Sequence, residues 1–167
     1  VAEVTATEAA ERESLFRLVD DVSKTYAVCM KTADDRTDVC FGISSPWQNL
    51  GSALSGALGE PFLVGSGPLT PKSATRFELT GAQPSAISMA LLSLDITPTP
   101  FKGGTLLAFP LVASQIARTD GDGALEMVTT WPWNAPPDLR FVVQIAVGDP
   151  GAPMGVALSN GVAGTSR

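Results

Sequence analysis

The chain has 167 residues, of which 44% are hydrophobic and 17% charged, a balance that suits one compact domain with a smaller appendage. Its net charge is −6 and it lacks clusters of Lys and Arg, which argues against nucleic acid as a partner. No apolar run approaches the roughly 18 residues of a membrane-spanning helix. The 16 Gly and 13 Pro residues favour many short strands over long helices.

Residues 5–26 are predicted to form an amphipathic helix. Thr5 and Glu8 have the spacing of a capping box. Four apolar residues then recur at i, i+3, i+4 and i+7, the spacing of a single stripe on a helix. These residues are Leu15, Leu18, Val19 and Val22. The stripe predicts a packed contact, either with the rest of this chain or with a partner subunit.

The only two cysteines, Cys29 and Cys40, lie close together in the sequence. A closely spaced pair favours a disulfide formed in an oxidising compartment. The alternative is a pair of free core thiols in a cytosolic protein. Between them, residues 32–38 form an acidic turn. A solvated turn is favoured there over a metal site, because hard cations need more oxygen ligands in a defined loop.

A change in composition at residues 44–46 predicts a domain boundary. Residues 1–46 are interpreted as a helical appendage that carries the loop between the cysteines, and residues 47–167 as a β-sandwich domain. In this second part, short apolar runs alternate with turn signals, which predicts an antiparallel sandwich of about eight strands. The clearest strand is 139–147, whose alternate residues form one fully apolar face.

The residue types limit the chemistry of any active site. The chain contains no histidine, which excludes Ser–His–Asp and Cys–His catalysis and histidine-bearing zinc sites. Paired carboxylates leave a glycoside hydrolase formally open. However, the candidates Glu60, Glu78, Asp95 and Glu126 are scattered along the sequence. We therefore expect a non-enzymatic protein that has no cofactor and no metal.

Residues 119–123 superficially resemble a calcium loop. They lack the third ligand and the distant Glu of an EF-hand. A hairpin turn explains the same residues.

Trp131 and Trp133 flank a proline, and alternate residues of an extended chain point the same way. The two rings could therefore form a stacking platform for sugars. The other interpretation is a core or protein-contact role, which is commoner for large aromatic side chains.

A series of short motifs begins at Trp47-Gln48-Asn49-Leu50-Gly51. It ends with Gln144, Asp149-Pro150, Ala152-Pro153, Gly155 and Ser159-Asn160. In order and spacing, these motifs resemble an uncharacterised β-sandwich module of predicted secreted and surface proteins in some high-GC Gram-negative bacteria. The module is often C-terminal. The resemblance covers about residues 47–165 and leaves residues 1–46 outside it.

The resemblance implies a periplasmic or extracellular setting and a non-catalytic role. We therefore expect a structural or interaction subunit of an envelope or cell-surface assembly, acting through contacts with other protein subunits or with a second copy. The predicted contact residues are the four of the helical stripe together with Trp131 and Trp133. The alternative function is a carbohydrate-binding module that uses the two tryptophans.

Overall fold

A computed structural model describes residues 45–167 in full and residues 1–44 only through the backbone of four strands. These are β1 (Ala2–Glu8), β2 (Arg12–Leu18), β3 (Thr25–Lys31) and β4 (Asp38–Ser44). The chain divides into two compact units, Val1–Ser45 and Pro46–Arg167.

In the first unit, β1 pairs antiparallel with β2, and β3 with β4. The register of the second pair places Cys29 opposite Cys40. These strands differ from the helix predicted over residues 5–26, but residues 9–11 and 19–24 lie outside the described residues. The helix, its apolar stripe and the disulfide are therefore untested and stay predictions. The side chains on which these predictions depend lie outside the described part of the structure. They are those of Leu15, Leu18, Val19, Val22, Cys29 and Cys40.

The second unit is built from short strands, as the frequent turn signals predict. They are β5 (Trp47–Gly51), β6 (Phe62–Ser66), β7 (Ala74–Thr80), β8 (Ile87–Ser93), β9 (Ile96–Phe101), β10 (Gly104–Ala108), β11 (Ala113–Arg118), β12 (Leu125–Thr130), β13 (Arg140–Gly148), β14 (Val156–Leu158) and β15 (Gly161–Thr165). A 3-10 turn, Pro153–Gly155, precedes β14. All pairings between these strands are antiparallel, so the predicted mainly β, antiparallel fold is confirmed for this unit.

The unit has more strands than the number predicted, for two local reasons. The Thr-Pro-Thr-Pro stretch at residues 97–100 has the composition of a strand break, yet it belongs to β9. Strand β9 pairs only with β10 among the described strands, and prolines are tolerated on such an edge because no ladder N–H is needed there. The apolar run at residues 156–162, which the sequence alone would place in one last strand, is divided at Ser159 and Asn160 into β14 and β15.

The strands form a central sheet that is covered by a second sheet on one face and by the β9–β10 hairpin over part of the other. The central sheet has the order β11-β8-β13-β15-β5, with β14 added to β13, and a second sheet has the order β12-β7-β6. The main core lies between these sheets and includes Leu63, Leu79, Phe141 and Ile145. A smaller core, including Leu91, Leu106 and Val142, lies between the opposite face of the central sheet and the β9–β10 hairpin. Strand β13 is therefore buried on both faces.

Trp47 packs inside the sandwich on the side where β5 and β6 run. Its indole Nε1 donates a hydrogen bond to the carbonyl oxygen of Gly67 at 2.8 Å. Its ring meets Phe77 and Phe141 edge-on, at centroid distances of 5.4 and 5.6 Å. A Cβ on Gly65 would lie 2.3 Å from this ring, so β6 needs glycine at that position. The indole therefore fills this side of the core.

Polar residues of the C-terminal motif are buried and hydrogen-bonded to backbone groups. Gln144 is fully buried, and its Oε1 accepts a hydrogen bond from the N–H of Leu107 at 2.8 Å. Its Nε2 donates to the carbonyl oxygen of Ser159 at 2.9 Å. Asn160 joins the two sheets, because its Oδ1 accepts from the N–H of Leu63 at 2.7 Å and its Nδ2 donates to the Leu63 carbonyl at 3.0 Å.

Asp149 has a similar role in a loop. It is 2% exposed, and its two carboxylate oxygens accept hydrogen bonds from the backbone N–H groups of Ala57 and Gly151, both at 2.8 Å. Buried polar groups of this kind must be paired, because an unpaired one loses its hydration without compensation. The polar residues on which the resemblance rests therefore stabilise the fold through hydrogen bonds to the backbone.

Candidate functional site

The two tryptophans that the sequence singles out have different environments. The ring of Trp131 is half-buried and packs against Phe141 at a centroid distance of 5.0 Å. Trp133, by contrast, is 72% exposed. The structure therefore offers one ring to solvent and turns the other towards the core.

The side of the sandwich opposite Trp47 is open. It is bordered by β11, the edge of the central sheet, and β12, the edge of the second sheet. Within Pro46–Arg167, β11 pairs only with β8 and β12 only with β7. Strand β11 contains neither Lys nor Pro, the residues that commonly protect an exposed edge. Its backbone can therefore pair with a further strand.

A cavity of about 740 Å³ lies at this open side. The apolar residues that border the main core without being fully buried all line it: Ala90, Leu92, Leu125, Met127 and Trp131. A volume of a few hundred to about 1,000 Å³ with mostly apolar walls is typical of sites for small molecules. The cavity is thus a part of the hydrophobic core that this unit leaves uncovered.

Two residues at one end of the cavity have polar atoms that lack partners and that are buried away from the cavity surface. Thr75 is 1% exposed, and its Oγ1 has no hydrogen-bond partner among the described residues. The same holds for Nε1 of Trp131. The two residues lie at the same end of the second sheet, since Thr75 pairs with Thr129 and the N–H of Trp131 donates to the carbonyl of Ser73. Towards Leu125 the described lining is mostly apolar, with Ser114, Gln115 and Glu126 as its polar residues.

Among the described residues that line the cavity, Glu126 is the only titratable one, and it forms an ion pair. Glu126 lies opposite Glu78 in the register of β12 and β7. Arg76 lies between them, with its Nη1 at 2.8 Å from Glu126 and 3.7 Å from Glu78. All three side chains are about half exposed. Two of the scattered carboxylates are thus brought together as an exposed ion-pair cluster.

A second apolar feature lies on the outer face of the central sheet. Ile116 on β11 lies opposite Met89 on β8, and Ile87 lies two residues from Met89 on the same face. They are 72%, 39% and 62% exposed, respectively. The three residues, named here the β11 patch, adjoin the unpaired edge of β11. Sequence reasoning missed this patch because alternation in β8 does not show how far the β9–β10 hairpin covers that face.

The acidic turn at residues 119–123 connects the two sheets. Oδ1 of Asp120 accepts hydrogen bonds from the N–H groups of Asp122 and Ala124 at 2.9 and 2.8 Å. Strands β11 and β12 do not pair with each other, so the predicted hairpin turn is wrong. The side chain of Asp120, which in the sequence resembles a calcium ligand, instead stabilises the turn that joins the edge strands β11 and β12.

Among the described residues, no group of three or more His, Cys, Asp or Glu side chains is placed to hold a metal ion. Nor does any helix in this part of the chain have the length and hydrophobicity to cross a membrane. Comparisons with protein-family models and with curated proteins gave no match.

Proposed function

We propose that this protein is a non-enzymatic interaction subunit, and that its second unit binds a protein partner along the edge of β11. The observation that carries the proposal is the combination of the β11 edge, which no other described strand pairs, with the exposed β11 patch. A partner strand added to β11 would gain backbone hydrogen bonds along the edge. On the outer face, its side chains would meet Ile116, which lies beside Met89. This is the usual mode of β-strand addition.

The amino-acid composition of the patch favours a protein partner. Exposed apolar side chains that are contiguous on one face are typical of protein contacts, whereas single ones are common on any surface. Because Ile116 and Met89 are cross-strand neighbours, they form a continuous surface. The resemblance to modules of secreted and surface proteins supports an envelope or extracellular assembly as the setting.

A carbohydrate-binding function is the alternative. Trp133 favours it, because its ring is largely exposed. A two-ring platform, however, needs Trp131 at the surface as well, and that ring packs against Phe141. A protein partner therefore has the stronger support.

The test is capture of a partner by the full chain from cells of the source organism, with two matched variants. Ile116→Lys places a charge in the β11 patch, whereas Leu58→Lys changes a side chain that is 62% exposed in a loop. We expect a protein partner that is retained by Leu58→Lys and lost from Ile116→Lys. Equal retention by both variants would refute the role of β11. Glycan binding that is abolished by Trp133→Ala would favour the alternative.

A further inference from the structure

We infer that the partner at the edge of β11 is a second copy of this chain. The two copies add their β11 strands to each other in antiparallel orientation, with Ile116 of one copy opposite Ile116 of the other. The inference rests on the proposed function, because it names the partner and the register for the same edge. It commits to a contact with two-fold symmetry, in which both copies use the same residues.

The hydrogen bonds between β11 and β8 determine which backbone groups of β11 face the open edge. The N–H of Thr119 donates to the carbonyl of Ala86 at 3.0 Å, one step beyond Arg118 in the register of the two strands. Hydrogen-bonded and non-hydrogen-bonded pairs alternate along an antiparallel ladder. The N–H and C=O groups of Ser114, Ile116 and Arg118 therefore point away from β8. A strand added at this edge would pair with these three residues.

The outward-facing residues are arranged symmetrically about Ile116. An antiparallel copy with its two-fold axis at this residue pairs Ile116 with itself and pairs Ser114 with Arg118 of the other copy. Each of these pairs exchanges two backbone hydrogen bonds, so the contact contains about six. Because β11 begins at Ala113 and ends at Arg118, every other symmetric register places at least one outward-facing residue opposite a residue outside the strand. The edge therefore favours this register.

The side chains on the outer face match each other in this register. Ile116 is 72% exposed, and its cross-strand neighbour Met89 on β8 is 39% exposed. Directly opposite side chains of an antiparallel pair lie about 4.5–5.5 Å apart, so the two isoleucines would be in contact. The apolar row of Met89 and Ile116 would then continue into the same two residues of the second copy. Each copy thus covers the exposed isoleucine of the other.

The charge of the edge also suits a second copy. Among the residues Ala113–Arg118 of β11, only Arg118 is charged. The register places it opposite Ser114 of the other copy, which separates the two arginines by about 13 Å along the strand, at about 3.3 Å per residue. This distance exceeds the Debye length of about 8 Å at physiological ionic strength, so like charges do not oppose the pairing.

The first test measures the mass of the full chain by sedimentation velocity at physiological ionic strength, where the repulsion between two chains of net charge −6 is screened. We expect a dimer that dissociates on dilution. Ile116→Lys places two positive charges together at the two-fold axis and should weaken the dimer at least about tenfold. Leu58→Lys adds the same charge at a loop position that is 62% exposed, and it should leave the dimer unchanged.

A matched pair of variants at Ser114 tests the backbone pairing. Proline at this position removes an N–H that points away from β8, and proline is tolerated at such edge positions. Ser114→Pro should therefore keep the thermal unfolding transition. It should weaken the dimer at least about tenfold, because each half of the symmetric contact loses a hydrogen bond. Ser114→Ala keeps the N–H and should dimerise like the parent protein.

An introduced cysteine tests the register. Ile116→Cys places two thiols opposite each other, at a Cα separation of about 5.5 Å that a disulfide can span. Mild oxidation should yield a covalent dimer joined through position 116, which peptide mass mapping identifies. Ser114→Cys is the control, because its two copies lie about 13 Å apart along the strand and should not be joined.

Three results would each overturn the inference. They are a full chain that stays monomeric, a dimer that is unaffected by Ile116→Lys or by Ser114→Pro, and oxidation that joins Ser114→Cys rather than Ile116→Cys. The capture experiment separates this failure from failure of the proposed function. A monomeric chain that captures a different protein, and loses it in Ile116→Lys, would keep β11 as the binding edge but not the second copy as its occupant. A monomeric chain that captures no protein would overturn both.

Discussion

The side-chain oxygen of Gln144 accepts a hydrogen bond from the backbone N–H of Leu107, and this 2.8 Å contact joins the central strand β13 to the β9–β10 hairpin. The amide nitrogen of the same side chain donates to the carbonyl of Ser159, between β14 and β15. A single buried amide on β13 thus links the central sheet to the β9–β10 hairpin and to the break between β14 and β15.

Replacing Gln144 by Leu should destabilise the protein strongly. The substitution preserves much of the volume but leaves the N–H of Leu107 and the carbonyl of Ser159 unpaired. Each buried group left unpaired costs about 1–3 kcal/mol, so the free energy of unfolding should fall by at least about 2 kcal/mol. Urea denaturation measures the change. Gln115→Leu, at an exposed position of β11, is the control and should stay within about 0.5 kcal/mol of the parent protein. Equal effects of the two substitutions would contradict the role of Gln144.

The contact between Trp47 and Gly65 gives a second prediction. A Cβ at Gly65 would lie 2.3 Å from the indole ring, so Gly65→Ala forces the ring or β6 to move. Overpacking of this kind typically costs about 1–3 kcal/mol. The matched control is Gly121→Ala, because no atom lies within 4 Å of the added Cβ at that position. Thermal unfolding of both variants measures the loss of stability. A Gly65→Ala variant that is as stable as the control would show that the core around Trp47 is loosely packed.

Two buried threonines should respond in opposite ways to substitution by valine. The hydroxyl of Thr119 accepts from the N–H of Ala86 at 2.8 Å and donates to the carbonyl of Gln83 at 2.7 Å. The hydroxyl of Thr75 has no partner among the described residues. Thr119→Val should therefore lower the free energy of unfolding by about 1–3 kcal/mol, whereas Thr75→Val should leave it unchanged or raise it. Urea denaturation is the measurement. A marked loss of stability in Thr75→Val would reveal a partner for that hydroxyl.

The disulfide between Cys29 and Cys40 is testable by mass spectrometry. Directly opposite residues of antiparallel strands have Cα atoms about 4.5–5.5 Å apart, within the range that a disulfide spans. The register of β3 and β4 gives the two cysteines this relationship. Unreduced protein from an oxidising compartment should therefore take up no alkylating reagent, and reduced protein should take up two equivalents. Two reactive thiols in the unreduced protein would contradict the prediction and, with it, the argument for secretion from cysteine usage.

Local sequence patterns correctly indicated the class of the second unit. Turn residues at short intervals and the alternation in 139–147 predicted antiparallel strands, because the alternation of side chains across a strand is a property of the local backbone. The resemblance to a β-sandwich module marked the polar residues Gln144, Asp149, Ser159 and Asn160 as distinctive. It did not reveal that these side chains are buried, since burial depends on segments distant in sequence. The hydrogen bond between Gln144 and Leu107, for example, joins residues 37 positions apart.

The candidate sites depend entirely on the tertiary structure. Thr75 lies on β7 and Trp131 directly follows β12, and only the pairing of these two strands brings the residues to one end of a cavity. The exposure of Ile116 depends on where the β9–β10 hairpin ends, and the open side of the core depends on which strands occupy the two sheet edges. The sequence by itself determined that this unit is an antiparallel β-structure in which Trp131 and Trp133 flank a proline. The order of strands decided which edge stays unpaired and which part of the core stays uncovered, because strand order is set by long-range packing that no local periodicity encodes.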